Sequence, residues 1–114
     1  FRGLDSSHKV MQWHMAEVKR APQQGRVLAR SDATAVQTLA IGDHAIGTQF
    51  HCEFTPQTVA TWSSIPGALD SLERHLGPGA YQRLVAESFP LMPHMASMTR
   101  RIYDNLMETT GLRK

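Results

Sequence analysis

His51 and Glu53 are the two residues of this chain whose types and spacing could do chemistry together. In an extended segment successive side chains alternate faces, so residues two apart project to one side, about 6–7 Å apart along the strand. A carboxylate behind an imidazole is the back half of a nucleophilic relay: the acid orients the ring, and the ring takes a proton from a thiol or hydroxyl. The segment Gly47-Thr48-Gln49-Phe50-His51-Cys52-Glu53 reads as the end of a strand, because Thr55-Pro56 follows at once. Gly47 is expected to admit a close backbone approach. The bland reading of the pair is a satisfied histidine and an exposed acid at a strand end.

Cys52 stands between the two and looks like a ready nucleophile. Pleat alternation sends it, with Phe50, to the opposite face. A nucleophile must lie within about 2.6–3.2 Å of its base, which adjacent strand residues rarely achieve. A free cysteine is most often a small core side chain, so Cys52 is expected to pack. A metal centre built from His14, His44, His51, Glu53 and Cys52 lacks the diagnostic spacings: there is no C-x-x-C, no paired His on a helix and no H-E-x-x-H. No metal and no cofactor are expected. His8, His75 and His94 read as solvated helix or loop positions, and Met92, Met95 and Met98 as core at helical spacing.

The elements that must position this pair fall into two parts. Residues 1–54 hold short β-type runs over 9–13, 26–30, 36–41 and 44–51, separated by turn signals. Gly42-Asp43 between the last two marks a tight hairpin. Residues 55–114 are helical. Thr55 is an N-cap with Pro56 at the first helical position, opening a helix through about residue 62. A second helix is expected over 66–76, stopped by Gly77. After Pro78-Gly79, Leu84, Val85, Phe89, Met92, Met95, Ile102 and Leu106 recur at helical spacing. Pro90 and Pro93 interrupt them, giving two helices or one kinked helix, closed by Gly111.

Composition narrows the function classes. With 41% hydrophobic and 19% charged residues the chain is ordinary globular material, long enough for one domain. The net charge of +2 is small, and adjacent basic pairs occur only at Lys19-Arg20, Arg100-Arg101 and Arg113-Lys114, so no nucleic-acid stripe is present. No apolar run reaches the ~18–20 residues of a membrane span. One cysteine fits a reducing compartment, and a cytoplasmic location is expected. All the helices follow all the strands, an order expected of the second half of a larger α/β domain.

Three stretches together resemble a known family. They are Val10-Met11-Gln12-Trp13-His14-Met15-Ala16-Glu17-Val18, Gly25-Arg26-Val27-Leu28-Ala29-Arg30-Ser31, and the hairpin ending in Gln49-Phe50-His51-Cys52-Glu53. In order and spacing they resemble the C-terminal half of stand-alone, GMP-synthase-like class I glutamine amidotransferases, over roughly residues 8–55. The last stretch is similar to that family's G-x-Q-F-H-P-E segment. The region from Val59-Ala60-Thr61-Trp62 to Tyr103-Asp104-Asn105-Leu106-Met107 resembles a subset of the same proteins.

The resemblance implies an α/β fold: residues 1–114 would be the C-terminal half of a three-layer class I glutamine amidotransferase-like domain, with short strands over 9–54 and helices over 56–110. It implies hydrolysis of glutamine to glutamate and ammonia by a Cys-His-Glu triad. His51 would be the general base, Glu53 its orienting acid, and Trp13, His14 and Met15 would line the glutamine pocket. The implied partners are glutamine and an ammonia-accepting synthase domain or subunit, whose acceptor the chain does not specify. Exposed sheet edges also allow a homo-oligomer. Two departures stand out: Cys52 replaces the motif's Pro, and the nucleophile elbow, which the family places upstream of the equivalent of Phe1, is not found. The chain alone is therefore expected to be inactive. The alternatives are a γ-glutamyl hydrolase on the same scaffold and a non-catalytic amidotransferase-like binding domain.

Overall fold

The computed structural model describes residues 1–112, so the basic pair Arg113-Lys114 lies outside the described residues. Three short strands, β1 (Gly25–Ala29), β2 (Thr38–Ile41) and β3 (Ala45–Thr48), form an antiparallel sheet in sequence order. Gly42 has φ +55° in the turn between β2 and β3, a conformation that disfavours any residue with a Cβ. The turn sets Ile41 opposite Ala45 and Thr38 opposite Thr48. β1 pairs with β2 from Gly25↔Ile41 to Val27↔Leu39, then slips so that Ala29 faces Thr38 and Leu28 is bulged out.

The runs expected at 9–13 and beyond Thr48 do not extend this sheet. Past β3 one more bond forms, from Gln49 N to Gln37 O at 2.9 Å, and the chain then leaves β2. It meets Met11 instead. The two residues exchange backbone hydrogen bonds, His51 N to Met11 O at 2.8 Å and Met11 N to His51 O at 3.3 Å, as one isolated bridge. A methyl group at Gly47 would meet no other atom within 4 Å, so the close approach expected there is not made among the described residues.

Helix α1 (Pro56–Ser63) begins as its sequence dictates. Thr55 Oγ1 accepts from Thr58 N at 3.2 Å, Thr58 Oγ1 accepts from Thr55 N at 3.3 Å, and Pro56 needs no partner for the N–H it lacks. Helix α2 (Ala68–Leu76) starts two residues later than expected, because Gly67 at φ +77° breaks the helical path after Pro66. Helix α3 (Ala80–Ser88) leads through a 3₁₀ turn at Phe89–Leu91 into α4 (Met92–Thr109). Pro90 therefore sits in the turn. Pro93 occupies the first turn of α4, where a missing N–H costs nothing.

The main core lies beside the sheet. Met11, Phe50, Cys52 and Phe54 pack with Val59 of α1 and with Met95 and Met98 of α4, the two methionines being 1% and 3% exposed. Residues 1–8 run along α4: Arg2 pairs with Glu108, Asn105 Nδ2 donates to Arg2 O at 2.9 Å, and Phe1 meets Phe50 edge-on. His8 and His94, expected as separate solvated positions, touch with Nδ1 and Nε2 3.1 Å apart. The result is a small mixed α/β arrangement of a three-stranded sheet and helices. No helix among the described residues is long and apolar enough to cross a membrane.

Candidate functional site

Residues 49–54 keep the alternation of a strand without its ladder. Phe50, Cys52 and Phe54 are buried, while Gln49, His51 and Glu53 turn outward. The bridge to Met11 fixes the His51 backbone, and a bend at Cys52 and Glu53 brings the carboxylate back to the ring. His51 Nδ1 donates to Glu53 Oε1 at 2.6 Å. With Nδ1–H committed to the acid, a neutral ring carries its lone pair on Nε2, the nitrogen free to act as a base.

This pair is open to water, with the imidazole side chain 28% and the Glu53 side chain 56% exposed. Exposed ion pairs hold long side chains weakly, so the ring's orientation needs a further restraint. An aromatic cluster supplies it. Trp62 of α1 meets His51 edge-on, with ring centroids 4.8 Å apart and planes at 77°. Trp62 in turn contacts Trp13 at 5.4 Å and Phe54 at 5.5 Å. The capping box sets the phase of α1, so that Val59 enters the core and Trp62, one turn on, reaches the imidazole.

Of the three residues read as pocket-lining, Trp13 joins the His51 cluster through Trp62. His14 is engaged locally: its Nδ1 lies 2.7 Å from Ala16 O and its Nε2 2.9 Å from Gln12 Oε1. Met15 projects into solvent, 94% exposed. The loop they occupy is tied down by Gln49. Its Oε1 accepts from Val18 N at 2.9 Å and its Nε2 donates to Val36 O. Gln49 thus links the 12–18 loop to the segment before β2.

Cys52 is buried in the core among Met11, Phe50 and Phe54, on the side of the chain away from Glu53. Among the described residues no group of three or more His, Cys, Asp or Glu stands close enough to hold a metal ion. A shallow trough of about 310 Å³ runs along β2 and β3, lined by Val18, Val36, Leu39, Ile41, Ala45 and Ile46, and does not include His51. Trp62 completes the site and is not singled out by residue type and spacing. The Thr55-Pro56 cap carried the signal for Trp62, since it fixes which helix positions face inward.

The arrangement can accept a proton at His51 Nε2 and stabilise the resulting imidazolium through Glu53. No protein-family model, no curated protein and no solved structure matches this chain.

Proposed function

We propose that this chain supplies the histidine and the acid of a Cys-His-Glu triad in a class I glutamine amidotransferase, and that the thiol comes from outside these residues. The observation that carries this reading is the 2.6 Å bond from His51 Nδ1 to Glu53 Oε1, made while the one cysteine is buried in the core. An acid so placed selects the tautomer with a basic Nε2. That is the atom a nucleophile would approach.

In the proposed reaction His51 Nε2 takes the thiol proton, and the thiolate sulfur attacks the γ-carboxamide carbon of glutamine. The C–N bond then breaks as Nε2–H returns its proton to the departing ammonia, leaving a γ-glutamyl thioester. Water, deprotonated by the same nitrogen, cleaves the thioester to glutamate and regenerates the thiol. Glu53 remains a carboxylate and stabilises the imidazolium in both halves. The uncovered apolar trough along β2 and β3 supports placing the sheet inside a larger, three-layer domain, where another layer would cover it.

The test is ammonia release from glutamine by the intact polypeptide that contains this chain. His51→Ala is expected to lower kcat by about 10⁴-fold or more, and Glu53→Gln by about 10³–10⁴-fold, as in other triads of this logic. Unchanged hydrolysis in His51→Ala refutes the triad. Faster release from other γ-glutamyl amides than from glutamine would assign the scaffold to γ-glutamyl hydrolysis instead.

A further inference from the structure

We propose that Trp62 is a positioning residue for His51, holding the imidazole plane so that Nε2 faces the incoming thiol. This inference rests on the reading of His51 as the general base. A hydrogen bond fixes one atom of a ring but leaves the ring free to swivel about the bond axis. The bond from Nδ1 to Glu53 has this weakness, because the carboxylate that holds it is itself 56% exposed. A second contact, off the bond axis, removes the freedom. Trp62 makes that contact, 4.8 Å from the imidazole centroid with the planes at 77°.

Trp62 can serve as a fixed support because it is itself held from several directions. Its backbone belongs to the capped helix α1, Phe54 beneath it is 2% exposed, and Trp13 lies against it at 5.4 Å. Edge-to-face aromatic pairs at 4.5–7 Å separation have a preferred geometry beyond mere burial. The 12–18 loop, anchored by Gln49, is thereby coupled to the orientation of the base through Trp13 and Trp62.

Two readouts test this separately from the triad. The first is the ring NMR spectrum of His51 in the intact polypeptide, for wild type, Trp62→Leu, Trp62→Phe and Trp13→Leu. Wild type is expected to show one tautomer, protonated at Nδ1, with proton–proton contacts between the His51 and Trp62 rings. Trp62→Leu should keep the Nδ1-protonated tautomer but average the ring's contacts with neighbouring protons over several orientations, Trp62→Phe should restore one orientation, and Trp13→Leu should fall between. The second readout is the kinetics of the intact enzyme: Trp62→Leu is expected to lower kcat by about 10–100-fold with KM within about twofold, the scale of a misplaced catalytic group. His51 ring contacts in Trp62→Leu as fixed as those in wild type overturn the role of Trp62. So does an unchanged kcat in Trp62→Leu where His51→Ala is inactive. Retained activity in His51→Ala instead overturns the reading of His51 as base, while the ring contacts still report whether Trp62 orients the ring.

Discussion

Replacing Gln49 with Ala should destabilise the chain by about 2–3 kcal/mol, and the structure shows where that loss arises. The side chain makes two hydrogen bonds, from Val18 N at 2.9 Å and to Val36 O. Val18 is 38% exposed, so water replaces the bond to its N–H and about 0.5–1 kcal/mol is lost. Val36 is 5% exposed, so its carbonyl is left without a partner in a place water reaches poorly, at about 1–3 kcal/mol. Gln49→Glu separates the two ends. It keeps an acceptor for Val18 N but sets a second carboxylate oxygen against the Val36 carbonyl, so it should be no more stable than Gln49→Ala. The assay is urea unfolding followed by far-UV circular dichroism, with hydrogen exchange at the Val18 amide as the local probe. Exchange there should accelerate in the Ala variant and stay protected longer in the Glu variant. Two variants within about 0.5 kcal/mol of wild type, the ordinary range for surface changes, would refute the clamp.

Three further outcomes follow from the packing. Cys52→Ala should cost about 1–2 kcal/mol in urea unfolding, the scale of one or two buried methylene-sized groups, and leave glutamine hydrolysis by the intact enzyme unchanged. In the wild-type chain a thiol reagent such as Ellman's should modify Cys52 slowly until denaturant is added, because the residue is 9% exposed. Thr38→Val should raise stability by about 1 kcal/mol in the same unfolding assay. The Thr38 hydroxyl is buried with no hydrogen-bond partner among the described residues, and valine keeps the β-branched shape without it.

What the sequence made legible was local. The turn at Gly42-Asp43 needs only a glycine at positive φ, and the start of α1 needs only Thr55, Pro56 and Thr58, all within one helical turn. The inward and outward alternation of Phe50, His51, Cys52 and Glu53 was readable because it follows from extended backbone alone. The ends of the strands were not. Residues 9–13 and 49–51 have β-type composition, yet they make one bridge to each other rather than joining the sheet. That choice depends on which backbone groups meet in three dimensions, and the alternation is blind to it. The start of α2 moved for a local reason, since Gly67 takes a left-handed conformation that Pro66 gives no hint of.

The site was half legible for the same reason. The His51–Glu53 contact lies within one short segment, and its chemistry shows in residue types and spacing. Trp13 comes from a loop far from His51 in the chain and Trp62 from the next helix, and residue types and spacing alone do not show that the two gather beside its ring. His8 and His94 came together likewise, from the first loop and the start of α4. His14 and Met15 sit beside Trp13 in sequence but face elsewhere, because the His14 ring is held by Gln12 and Ala16.

The central claim is that His51 and Glu53 serve a thiol other than Cys52. A diazoketone analogue of glutamine alkylates the cysteine that attacks the γ-carbonyl, and mass spectrometry of the digested intact enzyme locates the modified residue. The expected result is one labelled cysteine outside the segment numbered here, with labelling lost in His51→Ala. Label on Cys52, or labelling that survives His51→Ala undiminished, would contradict the account.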